Sequence, residues 1–160
     1  MISTKRGDGG YTSLPNGTRV KKSDPIICFF GSMDELISFT GYVSSKLELK
    51  ELLEIEKEIQ YVFSQMMLRK DIDKSFLIDK DNKIKEMEST LPKLRGFILP
   101  YGKSALIHLI RTNVRKCERK FVKANLNFPN TQKYLNRLSD YIFLIAYKYA
   151  LEHDELKLVK

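Results

Sequence analysis

The 160-residue chain has no tryptophan, two cysteines and two histidines, and each scarcity removes a class of chemistry. Cys28 and Cys117 lie far apart and form no Cys-x-x-Cys pair. Neither a disulfide framework nor a thiolate zinc site is therefore expected, and a reducing compartment, the cytoplasm, is. His108 and His153 have no His-x-x-x-His or Glu-x-x-His partner, so no histidine metal site is expected. No nucleophile-elbow sequence supports Ser-His-Asp catalysis. Long apolar runs are missing too: Ile26 to Phe30 and Ile142 to Ala146 fall far short of the roughly 20 residues that span a bilayer. Met1 to Arg6 carry charge with no apolar stretch behind them, so no secretory signal and no membrane partner are expected.

Charge is present in excess: 28 Lys and Arg against 20 Asp and Glu give a net +8. A nucleic-acid surface, a membrane surface or a pocket for a small polyanion would each use that excess, and placement has to decide. At 42% hydrophobic and 30% charged, the composition is that of one ordinary folded domain.

Four of the eight glycines fall within the first seventeen residues, so residues 1–31 read as a loop region, with a short extended piece at Ile26 to Phe30. From Pro25 to Pro92 there is no intervening proline, and helix formers dominate. Ser32-Met33-Asp34-Glu35 has the spacing of a capping box, which predicts a helix from Met33 to Leu47. Leu52, Leu53, Ile55, Ile59, Val62, Phe63 and Met66 predict a second from Glu48 to Arg69, with one buried face. Further helices are expected over Lys80 to Thr90, Lys103 to Ala124 and, capped by Asn130, Thr131 to His153. The fold class is thus all-α: a five-helix bundle over residues 32–153 in an up-and-down, ferritin-like arrangement, preceded by a glycine-containing loop.

The fourth helix carries the most information. At about 100° per residue, Leu106, Leu109, Ile110, Val114, Cys117 and Phe121 share an apolar side. His108, Arg111, Arg115, Glu118 and Arg119 share a neighbouring stripe. Three guanidiniums on one stripe suit a polyphosphate, because each offers a planar fork of donors to phosphate oxygens. A solvated face with a weak internal ion pair is the alternative. Thr4-Lys5-Arg6-Gly7-Asp8-Gly9-Gly10-Tyr11-Thr12-Ser13 mixes glycines, hydroxyls and cations as anion-binding nests do, without the Walker or Rossmann spacing. Asp34 and Glu35, adjacent on a helix, diverge too far to face one ligand, and a dipole role at the helix start is their alternative.

Read together, these pieces resemble the propanediol-utilisation type of ATP:cob(I)alamin (corrinoid) adenosyltransferase over nearly the whole chain. The resemblance is carried by Thr4 to Thr12, Gly17-x-Arg19-Val20-x-Lys22 and Gly31-x-x-Asp34-Glu35-Leu36. It continues through Phe97-Ile98-Leu99-Pro100, Arg111-x-x-x-Arg115-Lys116-x-Glu118-Arg119 and Tyr134 to Tyr141, all in the family's order. Arg6 stands where the family usually has threonine, Lys116 where it commonly has arginine, and the loop after Pro100 is short.

The resemblance implies an enzyme that transfers the 5′-deoxyadenosyl group of ATP to Co(I) of a corrinoid such as cobalamin, with Mg²⁺ accompanying the ATP. It implies a homotrimer with active sites between subunits, served by a reductase and an adenosylcobalamin-dependent enzyme. ATP would lie against Thr4, Lys5, Arg6 and Gly7, with Thr12, Ser13 and Lys22 near it. Arg115, Lys116, Glu118, Arg119 and Asn136 match the family's remaining nucleotide positions. Asp34 and Arg111 look like its inter-subunit ion pair, and Phe97 like the aromatic that blocks the lower corrin face. Arg115, Phe97, Arg111 and Asp34 are accordingly the residues on which turnover should depend. A basic helical nucleic-acid-binding module, or an ATP- and corrinoid-binding chaperone with weak catalysis, are the competing expectations.

Overall fold

A computed structural model describes residues 5–159. Two short strands, β1 (Tyr11–Ser13) and β2 (Arg19–Lys21), precede helices α1 (Pro25–Leu47), α2 (Lys50–Met67) and α3 (Ser75–Thr90). Then come β3 (Phe97–Ile98), helices α4 (Ser104–Lys123) and α5 (Pro129–Glu152), and β4 (Leu158–Val159). The five expected helices are present, with different starts.

The first start moves furthest. Asp24 caps α1, its carboxylate accepting from the Ile26 N–H at 2.9 Å, and Pro25 opens the helix with its φ already set. Ile26 to Phe30 are therefore helical, the loop region ends at residue 24 and not 31, and Ser32 is no cap. Ser32 lies buried inside α1, and its hydroxyl donates to the Phe29 carbonyl at 2.7 Å. The helix ends where Glu48 takes a left-handed φ of 54° and returns its N–H to Ser44. With 23 residues, α1 is long and apolar enough by composition to cross a membrane. Its Phe29, Met33, Leu36 and Val43 are instead fully buried in the bundle core.

Contacts between helices fix their directions. Lys116 and Lys120 of α4 reach Glu35 and Cys28 of α1, so the two run antiparallel. Glu118 with Asn136 sets α5 antiparallel to α4. Lys80 with Glu58, and the stacked rings of Phe76 and Tyr61, do the same for α3 against α2. The result is an up-down-up-down-up bundle whose apolar faces meet in one core, with Phe29 edge-on to Phe121 at 5.4 Å. Leu53 and Leu109, expected on buried faces, are about half exposed, while Ile107 and His108 turn inward.

Two helix N-termini are capped from far away in sequence. Asp71 accepts from the Asn130 N–H, the Thr131 N–H and the Thr131 hydroxyl at 2.8–2.9 Å, opening α5. Asn130 is thus not the cap; its amide donates to the Ile72 carbonyl. Glu155 accepts from the Lys103 and Ser104 N–H groups at 2.9 and 2.7 Å, opening α4. Each carboxylate satisfies donors that an isolated helix leaves free and opposes the positive end of the helix dipole.

Candidate functional site

The N-terminal segment is a β-hairpin. Tyr11, Thr12 and Ser13 pair with Lys21, Val20 and Arg19, and Gly17 takes a φ of +84° in the turn. The Lys22 N–H donates to the Gly10 carbonyl at 2.9 Å, closing the open end. There the Lys22 ammonium lies over Gly7, 3.0 Å from where a Cβ would stand. Glycine here leaves the exposed lysine room to lie against main chain. Arg19 donates to the Arg6 carbonyl at 3.1 Å. Lys5, Arg6, Thr12, Ser13 and Lys22 are thereby gathered on one small unit; Thr4 lies outside the described residues.

The arginine stripe of α4 is present but graded in burial. Arg115 and Arg119 are exposed, and among the described residues neither meets a carboxylate. Arg111 is half-buried, and its Nε has no hydrogen-bond partner. Burial, then the like charge of Arg115 one turn away, pull its pKa below the ordinary arginine value. Its guanidinium sits 6.0 Å from the Phe143 ring centroid. Asp34 is exposed and forms no ion pair with Arg111 within the chain. His108, one turn before, is 3% exposed with both ring nitrogens unpartnered; burial and then Arg111 push its pKa down to about 4.

Lys116 does not join the stripe. Its ammonium meets both oxygens of Glu35 on α1 at 2.8 and 2.7 Å. Those hydrogen bonds hold the Glu35 carboxyl below its usual range. Glu118 accepts from the Asn136 amide at 3.2 Å, and with Lys133 and Arg137 this pair lines a surface recess of about 310 Å³ between α4 and α5.

Phe97 is 81% exposed on β3, at the bundle end where α4 begins. The hairpin lies at the end where α1 begins and α4 finishes: Leu14, Pro15 and Asn16 share a pocket there with Ile26, Phe30 and Leu126. The 20 residues of α4 separate the two ends by about 30 Å at 1.5 Å per residue. Among the described residues, no hydrogen bond or ion pair links the hairpin cations to the α4 stripe. One chain thus holds three groups of expected site residues without bringing them into one pocket.

Residues 2–149 match the family model described as cobalamin adenosyltransferase. The chain belongs to this family. A corrinoid adenosyltransferase from Bacillus subtilis is 34% identical over 91% of the chain and 84% of that protein. The human corrinoid adenosyltransferase is 33% identical, over 93% of the chain and 68% of its own length. A variant of the PduO-type ATP:corrinoid adenosyltransferase from Lactobacillus reuteri, solved with cobalamin and ATP, superposes with a TM-score of 0.84. It is 27% identical, covering 100% of this chain and 97% of that one.

As an adenosyltransferase, the chain has features its sequence alone did not disclose. Glu35 claims Lys116 across two helices 81 residues apart. The segment after α5 folds back onto the Phe97 loop: β4 pairs with β3, Phe97 opposite Val159 and Ile98 opposite Leu158. No local pattern marks Glu155 or the strand after it; the nearest signal is Gly102, whose φ of +58° gives room to the Glu155 carboxylate.

Proposed function

We propose that this protein transfers the 5′-deoxyadenosyl group of ATP to Co(I) of a corrinoid, releasing triphosphate, at sites built between copies of the chain. The observation that carries this reading is the α4 stripe. Arg115 and Arg119 stand exposed about one turn apart, with no carboxylate partner among the described residues, at positions that the family resemblance assigns to the nucleotide. A triphosphate chain supplies the missing negative charge.

Co(I) is the nucleophile. Its electron pair attacks the ribose C5′ of ATP, the cobalt–carbon bond forms, the C5′–O bond breaks, and the bond electrons leave with triphosphate. Formally Co(I) becomes Co(III), and no proton has to move. This accounts for a site without a general base: the buried, neutral His108 has no reacting group to serve. What the chain must provide is alignment and stabilisation of the departing charge. Arg115 and Arg119 from α4, with Lys5, Arg6 and Lys22 from the hairpin, are the groups for that. Glu118 and Asn136 hold each other where the nucleotide's sugar or base would lie.

Among the described residues no group of three carboxylate, imidazole or thiol side chains converges on a metal position. That fits Mg²⁺ held mainly by the phosphates of its substrate, which is how this ion commonly binds nucleotides. The ion would share the phosphate charge with the arginines.

A wedge on the lower corrin face and an ATP on the upper face must belong to one site, yet Phe97 and the hairpin occupy opposite ends of the bundle. Head-to-tail association of copies, as in a cyclic trimer, brings different surfaces of one chain together and resolves this. The exposed Asp34 and the unpartnered Arg111 Nε suit such an interface, as do Leu53, Tyr61 and Leu109, large apolar side chains left on the surface. Cytoplasmic residence, with a reductase supplying Co(I), belongs to the same proposal. A nucleic-acid module has no comparable support. Stoichiometry tests the reaction: one triphosphate per adenosylated corrinoid is expected, and release of ADP with phosphate would contradict it.

A further inference from the structure

The segment after α5 makes two attachments, both to the loop that carries Phe97. At one end of the loop, Glu155 accepts from the Lys103 and Ser104 N–H groups at 2.9 and 2.7 Å, fixing the start of α4. Ser104 in turn donates its hydroxyl to the Tyr101 carbonyl at 2.6 Å, so the cap extends back into the loop. At the other end, β4 pairs with β3 beside Phe97, and the Leu99 N–H donates to the Lys157 carbonyl at 2.8 Å. Between them the Lys157 ammonium sits 3.4 Å from the centroid of the Tyr101 ring. Among the described residues, the backbone hydrogen bonds that tie Phe97 to Leu99 to the rest of the chain all come from this segment.

Two glycines leave room for the clasp. A Cβ on Gly102 would stand 2.5–2.9 Å from the Glu155 carboxylate, at a φ of +58° that side chains resist. A Cβ on Gly96 would stand 2.9 Å from the Val159 carbonyl oxygen. The loop is therefore shaped to its tail at both ends. Glu155 is itself anchored by its N–H, which donates to the Ala150 carbonyl as α5 ends. A rigid path thus runs from α5 through Glu155 to the start of α4, and from there to Phe97.

We infer that Glu155 is a positioning residue for the Phe97 loop: by clasping the start of α4 it sets where the exposed Phe97 ring stands against a bound corrinoid. This rests on the reading of Phe97 as the aromatic on the lower corrin face. An aromatic wedge works only if it is held, because a loop free to retreat lets water or the lower ligand return to cobalt. Phe97 has no packing of its own to hold it, being 81% exposed, so the constraint has to come through the backbone. The Glu155 carboxylate is taken up by the Lys103 and Ser104 N–H groups, so it acts through the loop.

The test compares full-length wild type with Glu155→Ala, Glu155→Gln, Gly102→Ala and Phe97→Ala. Each is assayed from cob(II)alamin with dihydroflavin as reductant, and from cobalamin already reduced to Co(I) with titanium(III) citrate. Glu155→Ala is expected to lose at least about tenfold from Co(II) and under twofold from Co(I), with the KM for ATP within twofold of wild type. Glu155→Gln keeps one acceptor oxygen and should fall between. Electron paramagnetic resonance of bound Co(II) should show less of the species lacking a lower ligand. Equal losses from both cobalt states, or none, would overturn the inference and leave Glu155 as a helix cap only. If Glu155→Ala does not fold, Glu155→Gln, which keeps one acceptor oxygen and the backbone unchanged, separates the same two outcomes. Wild type inactive even from Co(I) would instead overturn the proposed reaction. Selective loss in Phe97→Ala without any in the Glu155 and Gly102 variants would overturn this inference alone.

Discussion

Glu35 on α1 and Lys116 on α4 form a two-pronged ion pair at 2.7 and 2.8 Å, so the lysine nearest the arginine stripe is already engaged. Arg115, its neighbour in sequence, is exposed and meets no carboxylate. The two residues are therefore expected to take different roles, although the family resemblance assigns both to the nucleotide. Lys116→Ala should change the KM for ATP by less than about threefold, the scale of an exposed ion pair's loss. Arg115→Ala should lower kcat/KM by roughly a hundredfold or more, about 3 kcal/mol of lost transition-state stabilisation. Steady-state kinetics over a range of ATP concentrations separates them; similar losses would return Lys116 to the phosphate site.

A site shared between copies makes a prediction by complementation. Lys22→Ala disables the hairpin and Phe97→Ala the opposite end, so each homo-oligomer should be weak. Mixed and reassembled from equal amounts, they should recover about a quarter of wild-type activity, since random heterologous contacts restore that fraction of intact sites. No recovery above the average of the two variants would place both residues in the same copy's site.

His108 ties stability to pH. Its folded pKa of about 4 lies below the ordinary 6.5, because burial and the facing Arg111 charge disfavour the imidazolium. The unfolded chain then binds the proton more readily between those values. This part of the stability is present above pH 6.5 and is lost as pH falls toward 4, to the order of 3 kcal/mol. Thermal unfolding of wild type and His108→Leu across that range should show the difference, the variant losing less on acidification. Parallel profiles would mean that His108 is solvated in the assembled protein.

Lys80 offers a second stability test. It is 1% exposed, bonded to Glu58 at 2.7 Å, with the Tyr134 hydroxyl donating to the same carboxylate oxygen at 3.1 Å. Burial pulls its pKa below the ordinary lysine value despite Glu58, whose charge acts in the opposite direction. Lys80→Met should cost about 3 kcal/mol, since it leaves the Glu58 carboxylate with only Lys83 at 3.5 Å and the Tyr134 hydroxyl to offset its burial. Adding Glu58→Gln to Lys80→Met should recover most of that in urea unfolding. An additive double variant would show that the pair is not coupled.

Helix number, order and the arginine stripe were legible because they depend on short-range periodicity. Helix starts were less so, for an identifiable reason. Ser32 to Glu35 has the spacing of a local capping box, but Asp24 with Pro25 offers a start that also buries Phe29 against Phe121. At α4 and α5 the capping carboxylates, Glu155 and Asp71, lie more than fifty residues away, where no window rule reaches. His108 and Leu109 exchanged faces because α4 packs against both α1 and α5, which turns its buried arc away from the most apolar one. The expected site residues rest on the order of their motifs along the chain. Their separation between the two ends of the bundle was visible only once the helix directions were known.

Adenosyl transfer itself can be watched by mixing the full-length protein anaerobically with ATP, Mg²⁺ and chemically reduced cobalamin and following the absorbance spectrum. The Co(I) bands should convert to those of light-sensitive adenosylcobalamin, well above the protein-free control and reduced roughly a hundredfold or more by Arg115→Ala. Folded protein that binds ATP but yields no adenosylcobalamin above that control would contradict the proposed reaction.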